Sequence, residues 1–189
     1  AAGIFNCSVD DIPKSDPRRQ VGKVAELALQ YQGGPGAFRS MARNYALKLD
    51  PLYPLVWPAA GEERQERAVK RYEVVMARKE PIGKLLSREA FLAVDCIKLG
   101  WREQHPAIVS TWTELEDAAR QAVMYPGTVV TVQKVQYLVA RGFLWCKLPS
   151  GRCLAYGAPK IKDQVWVKVK DPETGKWLDS SEVMGREEA

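Results

Sequence analysis

Histidine is almost absent from this 189-residue chain, and His105 is the single example. The four cysteines are scattered, and none lies in a C-x-x-C pair. Structural zinc sites are built from closely spaced Cys and His ligands, so the sequence argues against a Cys/His zinc site. We expect the cysteines to be reduced thiols, most of them in the core.

Long apolar runs are also absent. No run of about 18 apolar residues occurs, so no membrane span and no membrane partner are expected. The first residues lack the charged-then-apolar pattern of a signal peptide, which favours a cytosolic setting. The sequence begins Ala-Ala-Gly without a methionine, which fits processing, cloning or a piece of a longer protein.

The chain does contain a normal share of apolar and charged residues, 46% and 27%. This balance fits one soluble globular domain, or two small ones, with a sizeable core. The net charge of +5 permits binding to nucleic acid or phosphate without requiring it. The positive charge is concentrated, because six Lys and Arg residues lie between Arg18 and Lys48 against one acid, Glu26.

The first two-thirds of the chain has the apolar spacing that is typical of helices. The first helix is expected to begin at Asp16 or Pro17 and to run to about Tyr31, where a glycine-rich segment stops it. Ser87 is the expected N-cap of a later helix, and the proline-rich segment 51–58 is not expected to be regular helix. The other predicted helices cover residues 37–47, 62–79, 87–103 and 106–124.

From Thr128 the pattern changes to short β-branched and aromatic runs separated by turn residues. These runs cover residues 128–132, 136–140, 143–148, 153–156 and 165–169. They predict an antiparallel meander of four or five strands. The expected fold class is α+β, with a helical region over residues 1–125 and an antiparallel β segment over residues 126–189.

Four residues of the first predicted helix are spaced four apart: Arg19, Lys23, Leu27 and Tyr31. At about 100° per residue each step drifts by about 40°, so all four lie within roughly 120° of one face, over about 18 Å. That face carries two cations, an apolar side chain and an aromatic ring. A nucleoside triphosphate has the same order of parts: phosphates, sugar and base. Arg19 can grip phosphate oxygens with its planar fork, and Lys23 supplies a compact charge one turn later.

The start of the first predicted helix and the glycines that follow it are also compatible with nucleotide binding. A helix N-terminus favours anions because its first N–H groups lack partners, and a bound phosphate would offset the cost of cations there, up to about 1 kcal/mol each. Tyr31 can stack on a base, and Gly33 and Gly34 let a nucleic-acid backbone approach. Spacing alone leaves a second interpretation open, an amphipathic surface helix that the glycines merely end.

Three stretches of the sequence carry a resemblance to a known family. They are RQVGKVAELALQYQGGPGAF with SMARNYALKL, WREQHPAIV with Trp112-x2-Leu115-Glu116, and LPSGRCLAY. In this order they resemble the phage and prophage branch of family A DNA polymerases. The pattern Arg19-x3-Lys23-x7-Tyr31 resembles motif B, the O helix of the fingers in that family. The resemblance touches most of residues 1–160.

The resemblance implies template-directed addition of deoxynucleotides to a primer by two-metal phosphoryl transfer, in the cytoplasm of a bacterial host cell during DNA replication. Residues 1–125 would belong to the fingers and residues 126–189 to the palm. Arg19 and Lys23 would hold the incoming dNTP, with Lys23 also assisting the pyrophosphate leaving group as a catalytic residue.

The remaining roles implied by the resemblance concern the sugar, the base and the DNA. Leu27 and Tyr31 would border the sugar and the nascent base pair, and Gly33, Gly34 and Arg152 would lie near the primer-template DNA. Two positions depart from the family pattern. Leu27 stands where the family usually has an aromatic or acidic residue, which bears on sugar discrimination, and Gln32 replaces the usual glycine after the tyrosine.

The carboxylates that hold two metal ions are missing from this sequence. In the resembled family they come from an aspartate strand upstream and a His-Asp pair downstream, and neither motif is present. Asp10 and Asp11 are adjacent and are interpreted as capping or solvated residues, while His105 is followed by Pro106 and not by an acid. We therefore expect Mg²⁺ ligands outside this chain, in the remainder of the polymerase chain, and an inactive isolated chain.

Two other functions are left open. One is a free-standing basic module that binds nucleic acid without catalysis. The other is a protein-interaction domain whose basic face meets an acidic partner, which predicts binding to neither DNA nor nucleotide.

Overall fold

The computed structural model describes residues 1–161 and the backbone of the short strands at 165–166 and 184–185. These residues divide into two compact units, the first over residues 1–106 and the second from residue 107 onward. Each unit is described by itself.

The first unit is helical. It contains α1 (Arg18–Leu29), α2 (Pro35–Asn44), a 3-10 turn (Asp50–Leu52), α3 (Tyr53–Ala60), α4 (Glu62–Ala77), α5 (Pro81–Leu85) and α6 (Arg88–Gln104). Helix α6 is at its centre, because every residue from Ala90 to Trp101 is buried. It packs against α1, α2, α3 and α4. A helix with apolar residues on nearly all sides must be covered by neighbouring helices in this way.

Local signals explain where α6 begins. The Oγ atom of Ser87 accepts a hydrogen bond from the backbone N–H of Ala90 at 3.2 Å, as an N-cap should, so this prediction is confirmed. Inside the helix, Asp95 and Lys98 form a buried ion pair. Burial lowers the pKa of Lys98, although the Asp95 carboxylate opposes that shift.

The proline-rich segment is helical, so the prediction for residues 51–58 is wrong. Residues 50–52 form the 3-10 turn, and residues 53–60 form α3 with Pro58 inside it. Pro54 lies in the first turn, where a backbone N–H has no intrahelical partner to lose. Val56 and Ala60 are buried and α3 packs on α6, so tertiary packing outweighs the one hydrogen bond that Pro58 removes.

The second unit joins α7 (Pro106–Met124) to a four-stranded sheet. The strands are β1 (Val130–Val132), β2 (Val135–Ala140), β3 (Phe143–Lys147) and β4 (Cys153–Gly157), in the order β1-β2-β3-β4. All pairs are antiparallel, with Leu138 opposite Trp145 and Trp145 opposite Ala155. The predicted meander and the α+β class are therefore confirmed.

A tight turn sets the register of the central hairpin. Arg141 and Gly142 have φ values of 53° and 79°, the left-handed pair of a two-residue hairpin turn. A further pair, β5 (Val165–Trp166) and β6 (Met184–Gly185), is also antiparallel. The rest of the predicted run 165–169 lies outside the described residues. The change from helix to strand falls between Met124 and Val130, while the assignment of the two parts to fingers and palm stays a prediction.

All four cysteines are free thiols. Cys96 and Cys146 are buried, Cys7 is half-buried and Cys153 is exposed. Burial raises the pKa of Cys96 to about 12, so this thiol stays protonated and unreactive at neutral pH. Within the part of the chain that the structure describes, no helix combines the length and apolarity needed to cross a membrane.

Candidate functional site

An open cleft of about 850 Å³ runs along the beginning of α1. Its walls come from the N-terminal segment, from α1 and from the end of α6, and include Arg19, Lys23, Glu26, Trp101 and His105. Arg19 and Lys23 are both exposed and both line this cleft. The structure therefore brings together the two cations that the sequence selected for phosphate binding.

Neighbouring arginines at the start of α1 have different surroundings. Arg18 donates to Asp16 through Nη2 at 2.7 Å and to the backbone oxygen of Asp11 at 2.6 Å. The Arg18 guanidinium lowers the pKa of Asp16 chiefly through this side-chain hydrogen bond. The side chain of Arg19 has no hydrogen bond or ion pair to any residue that the structure describes. Arg18 thus fastens the helix start, and Arg19 is available to a ligand.

The backbone N–H groups at this helix start are occupied, contrary to expectation. The N–H of Arg18 donates to Asp16 Oδ1 at 2.8 Å, and the N–H groups of Arg19 and Gln20 donate to the carbonyls of Asp16 and Pro17 at 3.0 Å. The Asp-Pro turn closes over the helix end and supplies these acceptors. The cleft therefore offers an anion side-chain cations and no free helix N–H groups.

Lys23 is positioned by an aromatic ring from the next helix. Its Nζ lies 4.6 Å from the ring centroid of Tyr45, the residue that follows α2. A cation over a ring face at this distance contributes about 0.5–1 kcal/mol at an exposed site. The contact restricts the long lysine side chain while it remains at the edge of the cleft, where the ammonium group can still donate hydrogen bonds.

Sequence reasoning missed an acid and two aromatic rings in the same cleft. Glu26 Oε2 accepts from Trp101 Nε1 at 2.9 Å and lies 3.9 Å from His105 Nε2. His105 Nδ1 lies 2.7 Å from the Trp101 carbonyl oxygen, and the two rings stack with centroids 4.1 Å apart. A carbonyl oxygen only accepts, which places a proton on Nδ1. The signal in the sequence was Glu26, the lone acid of its basic segment.

The cleft has a net positive charge. Counting side chains alone, Lys14, Arg19 and Lys23 supply three positive charges against one negative charge from Glu26, which gives +2 when His105 is neutral. Its volume lies within the range of about 300–1,000 Å³ that is typical of small-molecule sites. This combination suits a ligand with several negative charges on one part.

Leu27 and Tyr31 lie outside this cleft. Helix α1 ends at Leu29, so the prediction that it continues to Tyr31 is wrong. Tyr31 lies in the following turn and is 82% exposed, while Leu27 is half-buried on the helix. The four-residue stripe is therefore continuous only as far as Leu27, and the direction of the Tyr31 ring is set by the turn.

The turn after α1 has one residue that must be glycine. A Cβ atom on Gly33 would lie 1.9 Å from the carbonyl oxygen of Ala28, whereas one on Gly34 would meet nothing within 4 Å. Gln32 has φ 62°, the left-handed conformation that glycine adopts most easily. The backbone thus keeps a glycine-like conformation at Gln32, the position where the sequence departs from the resembled family. Contacts of Gly33 and Gly34 with DNA stay predictions.

Arg152 belongs to the second unit. It is exposed and follows the turn at 148–151, where its carbonyl accepts the N–H of Leu148 at 2.8 Å and Gly151 has φ 84°. This turn presents Arg152 at the start of β4. Its contact with DNA stays a prediction.

The described residues do not fit a site for metal ions. Among them, no group of three or more His, Cys, Asp or Glu side chains could hold a metal. Asp10 and Asp11 are exposed, and Asp11 Oδ2 accepts the backbone N–H of Ser8 at 2.9 Å, a local turn contact that agrees with the capping interpretation. No chemical step can be derived through metal ions from these residues.

Comparison with known proteins gives one informative match. No protein-family model and no solved structure matches the chain. Over 163 residues the chain is 35% identical to the DNA polymerase of Bacillus phage SP02, a match that covers 86% of this chain and 19% of that protein. The chain is related to a phage DNA polymerase.

The match to the phage DNA polymerase extends over both compact units of the chain. Because the match covers 86% of the chain, it includes residues from both compact units. The chain spans about a fifth of the length of that DNA polymerase.

Proposed function

We propose that this chain is the nucleotide-binding part of a DNA-directed DNA polymerase of family A, with residues 1–125 in the fingers and residues 126–189 in the palm. The relationship to a phage DNA polymerase supports this proposal. Its most direct structural support is the exposure of Arg19 and Lys23 in one open cleft of net positive charge.

In the proposed complex the cleft receives the phosphates of an incoming dNTP. The planar guanidinium of Arg19 donates hydrogen bonds to two phosphate oxygens at once, and the ammonium of Lys23 acts as a point charge one helical turn away. Three cations against one acid balance about half of the charge of a triphosphate. The remaining charge is balanced elsewhere in the polymerase.

Lys23 is the proposed catalytic residue of this part. When the primer 3′ oxygen attacks the α-phosphorus, the bond to the bridging oxygen breaks and pyrophosphate leaves with additional negative charge. An ammonium group beside that oxygen stabilises the charge and can donate a proton to it. The contact with Tyr45 keeps Lys23 close to one position before the nucleotide arrives.

Leu27 and Tyr31 are proposed to border the sugar and the nascent base pair. The Tyr31 side chain is 82% exposed, so its ring can be reached by a base for stacking. Gly33, Gly34 and Arg152 are proposed to lie near the primer-template. The Mg²⁺ ions that such a reaction requires would be held by carboxylates in the remainder of the polymerase.

Nucleotide binding to the isolated chain tests the site. We expect weak binding of a fluorescent dATP analogue that weakens as salt is raised. Arg19→Gln and Lys23→Gln should each weaken it by about tenfold, the loss of one charge-assisted hydrogen bond. Lys70→Gln is the matched control, because Lys70 is exposed on α4 and outside the cleft. Equal losses in all three variants would reject the site.

Primer extension tests the role of Lys23. The isolated chain should not extend a primer. In the whole polymerase that contains this sequence, Lys23→Gln should lower kcat by about 10²–10³, the usual effect of removing one group that stabilises a transition state. An unchanged kcat with a raised KM would reduce Lys23 to a binding residue. DNA binding without any nucleotide binding would favour the non-catalytic module.

A further inference from the structure

A second cleft in the first unit contains two arginines that the nucleotide site does not use. It has a volume of about 220 Å³ and lies between α2, the segment 47–50 and the beginning of α6. Arg39 and Arg43 line it from α2. They are four residues apart, so their side chains share one face of that helix.

Both arginines are available to a ligand. Arg39 is half-buried and Arg43 is exposed, and neither side chain has a hydrogen bond or ion pair to any residue within the described range 1–161. Arg43 lies in the last turn of α2, where a cation also interacts favourably with the helix dipole. That interaction does not account for Arg39, which lies in the middle of the helix.

The acid in this cleft is already engaged. Asp50 Oδ1 accepts a hydrogen bond from Ser87 Oγ at 2.9 Å, so its carboxylate is turned to the α6 cap. Two arginines and one aspartate give the cleft a net charge of +1. The first cleft, with +2, matches a polyanion better, and this one matches a single negative charge.

The size and walls of the cleft narrow the choice of ligand. At about 220 Å³ it is smaller than the sites of about 300–1,000 Å³ that hold whole small molecules. Leu47, Leu49 and Leu85 give part of its wall an apolar surface beside the arginines. A phosphodiester with part of one sugar has this combination of one negative charge and an apolar flank. A triphosphate does not.

We propose that Arg39 and Arg43 form a second anion site, which binds a backbone phosphodiester of single-stranded DNA. Helices α1 and α2 pack against each other, so one helix pair carries both the proposed nucleotide cations and these strand cations. The site rests on the proposed function only in that the strand is DNA. It adds a residue-level contact for an unpaired strand, independent of Arg19 and Lys23.

The test is binding of fluorescein-labelled dT12 to the isolated chain, measured by fluorescence anisotropy over a range of salt concentrations. The double variant Arg39→Gln, Arg43→Gln should raise the Kd by about tenfold or more. It should also reduce the slope of log Kd against log salt by about 0.7–1.4, since each phosphate contact to a single strand contributes about 0.7. Binding of the fluorescent dATP analogue should not change.

The matched control removes two charges elsewhere. Lys70→Gln with Lys79→Gln changes the net charge equally, and both lysines are exposed and outside the two clefts. Equal losses of dT12 binding in the two double variants would overturn the proposal, because they would show a general charge effect. Arg43→Gln alone, at an exposed position, gives a second measurement if the double variant does not fold, and an unchanged salt slope there would also overturn it.

The same variants separate this inference from the proposed function. If Arg19→Gln and Lys23→Gln leave dATP binding intact while the Arg39 and Arg43 variant loses dT12 binding, the nucleotide site fails and the strand site stands. If the Arg39 and Arg43 variant loses dATP binding, the second cleft is not a separate site. If a poly-glutamate peptide competes with dT12 as strongly as unlabelled dT12 does, an acidic protein partner replaces DNA as the ligand.

Discussion

The two ends of helix α1 differ in what fixes their side chains. At the beginning, Arg19 and Lys23 line an open cleft, and Asp16 and Arg18 hold the helix start. At the end, the helix stops at Leu29 and the chain turns tightly through Gln32 and Gly33. The beginning offers charge to a ligand, and the end is fixed by close backbone contact.

This difference shows how far residue spacing predicts a site. A four-residue spacing places side chains on one face only while the backbone remains helical. It therefore predicted that Arg19 and Lys23 share a face. It did not predict the place of Tyr31, because the turn and not the helix positions this residue.

The largest expected effect is a loss of stability when Gly33, in the turn that follows α1, is replaced. In Gly33→Ala the new Cβ would lie 1.9 Å from the Ala28 carbonyl, so the backbone of the turn must move. We expect a loss of about 3 kcal/mol in the free energy of unfolding, near the upper end of overpacking effects. Chemical denaturation of the isolated chain measures this loss.

Gly34→Ala is the control for that substitution. A Cβ at Gly34 meets nothing within 4 Å, and its φ of −118° suits any residue. We expect a change within about 0.5 kcal/mol, with a small gain because alanine restricts the unfolded chain. Similar losses in both variants would show that the end of α1 is not closely packed at Gly33.

The second largest effect is expected at Glu26, in the cleft at the beginning of α1. Glu26→Ala removes the carboxylate that accepts from Trp101 Nε1, and Trp101 is 1% exposed. Loss of this buried hydrogen bond should lower the free energy of unfolding by about 2 kcal/mol. The same change raises the net charge of the cleft from +2 to +3.

Glu26→Gln separates charge from hydrogen bonding. Its amide oxygen can still accept from Trp101, so the stability should change by less than about 0.5 kcal/mol. Removing a negative charge from the cleft should tighten dATP-analogue binding by about fivefold, or about 1 kcal/mol, the interaction of two unit charges about 4 Å apart in water. Weaker nucleotide binding in Glu26→Gln would mean that the carboxylate itself contacts the ligand.

Features that depend on neighbouring residues could be predicted from the sequence, and features that depend on distant residues could not. Local signals predicted the α+β order, the Ser87 cap and the turn between the runs 136–140 and 143–148, because each depends on neighbouring residues. The bond between Glu26 and Trp101 joins residues 75 apart along the chain, and no local pattern encodes it. Helix α3 was not predicted for the same reason: a long-range contact, its packing on α6, outweighs the helix-breaking effect of Pro58.

The smallest expected effect concerns the ion pair between Asp16 and Arg18 at the start of α1. Hydrogen bonds from Arg18 hold the pKa of Asp16 below its ordinary value of 3.8. A carboxyl with a lowered pKa in the folded state stabilises the fold above its unfolded pKa, and this contribution is lost as pH falls through the folded value. The wild-type chain should therefore lose stability below about pH 3.8, when Asp16 takes up a proton and releases Arg18.

Asp16→Asn tests this step. The variant should have a lower Tm than the wild type at neutral pH, and the difference should shrink as the pH falls below 3.8, because the wild type then loses the same charge. Asp10→Asn is the control, since Asp10 is exposed and its neighbour Asp11 makes the turn contact. The effect should be small, because the pair of Asp16 and Arg18 is only partly buried and water still reaches it and screens its charges. A Tm difference that does not vary with pH would assign the role of Asp16 to the turn geometry and not to its charge.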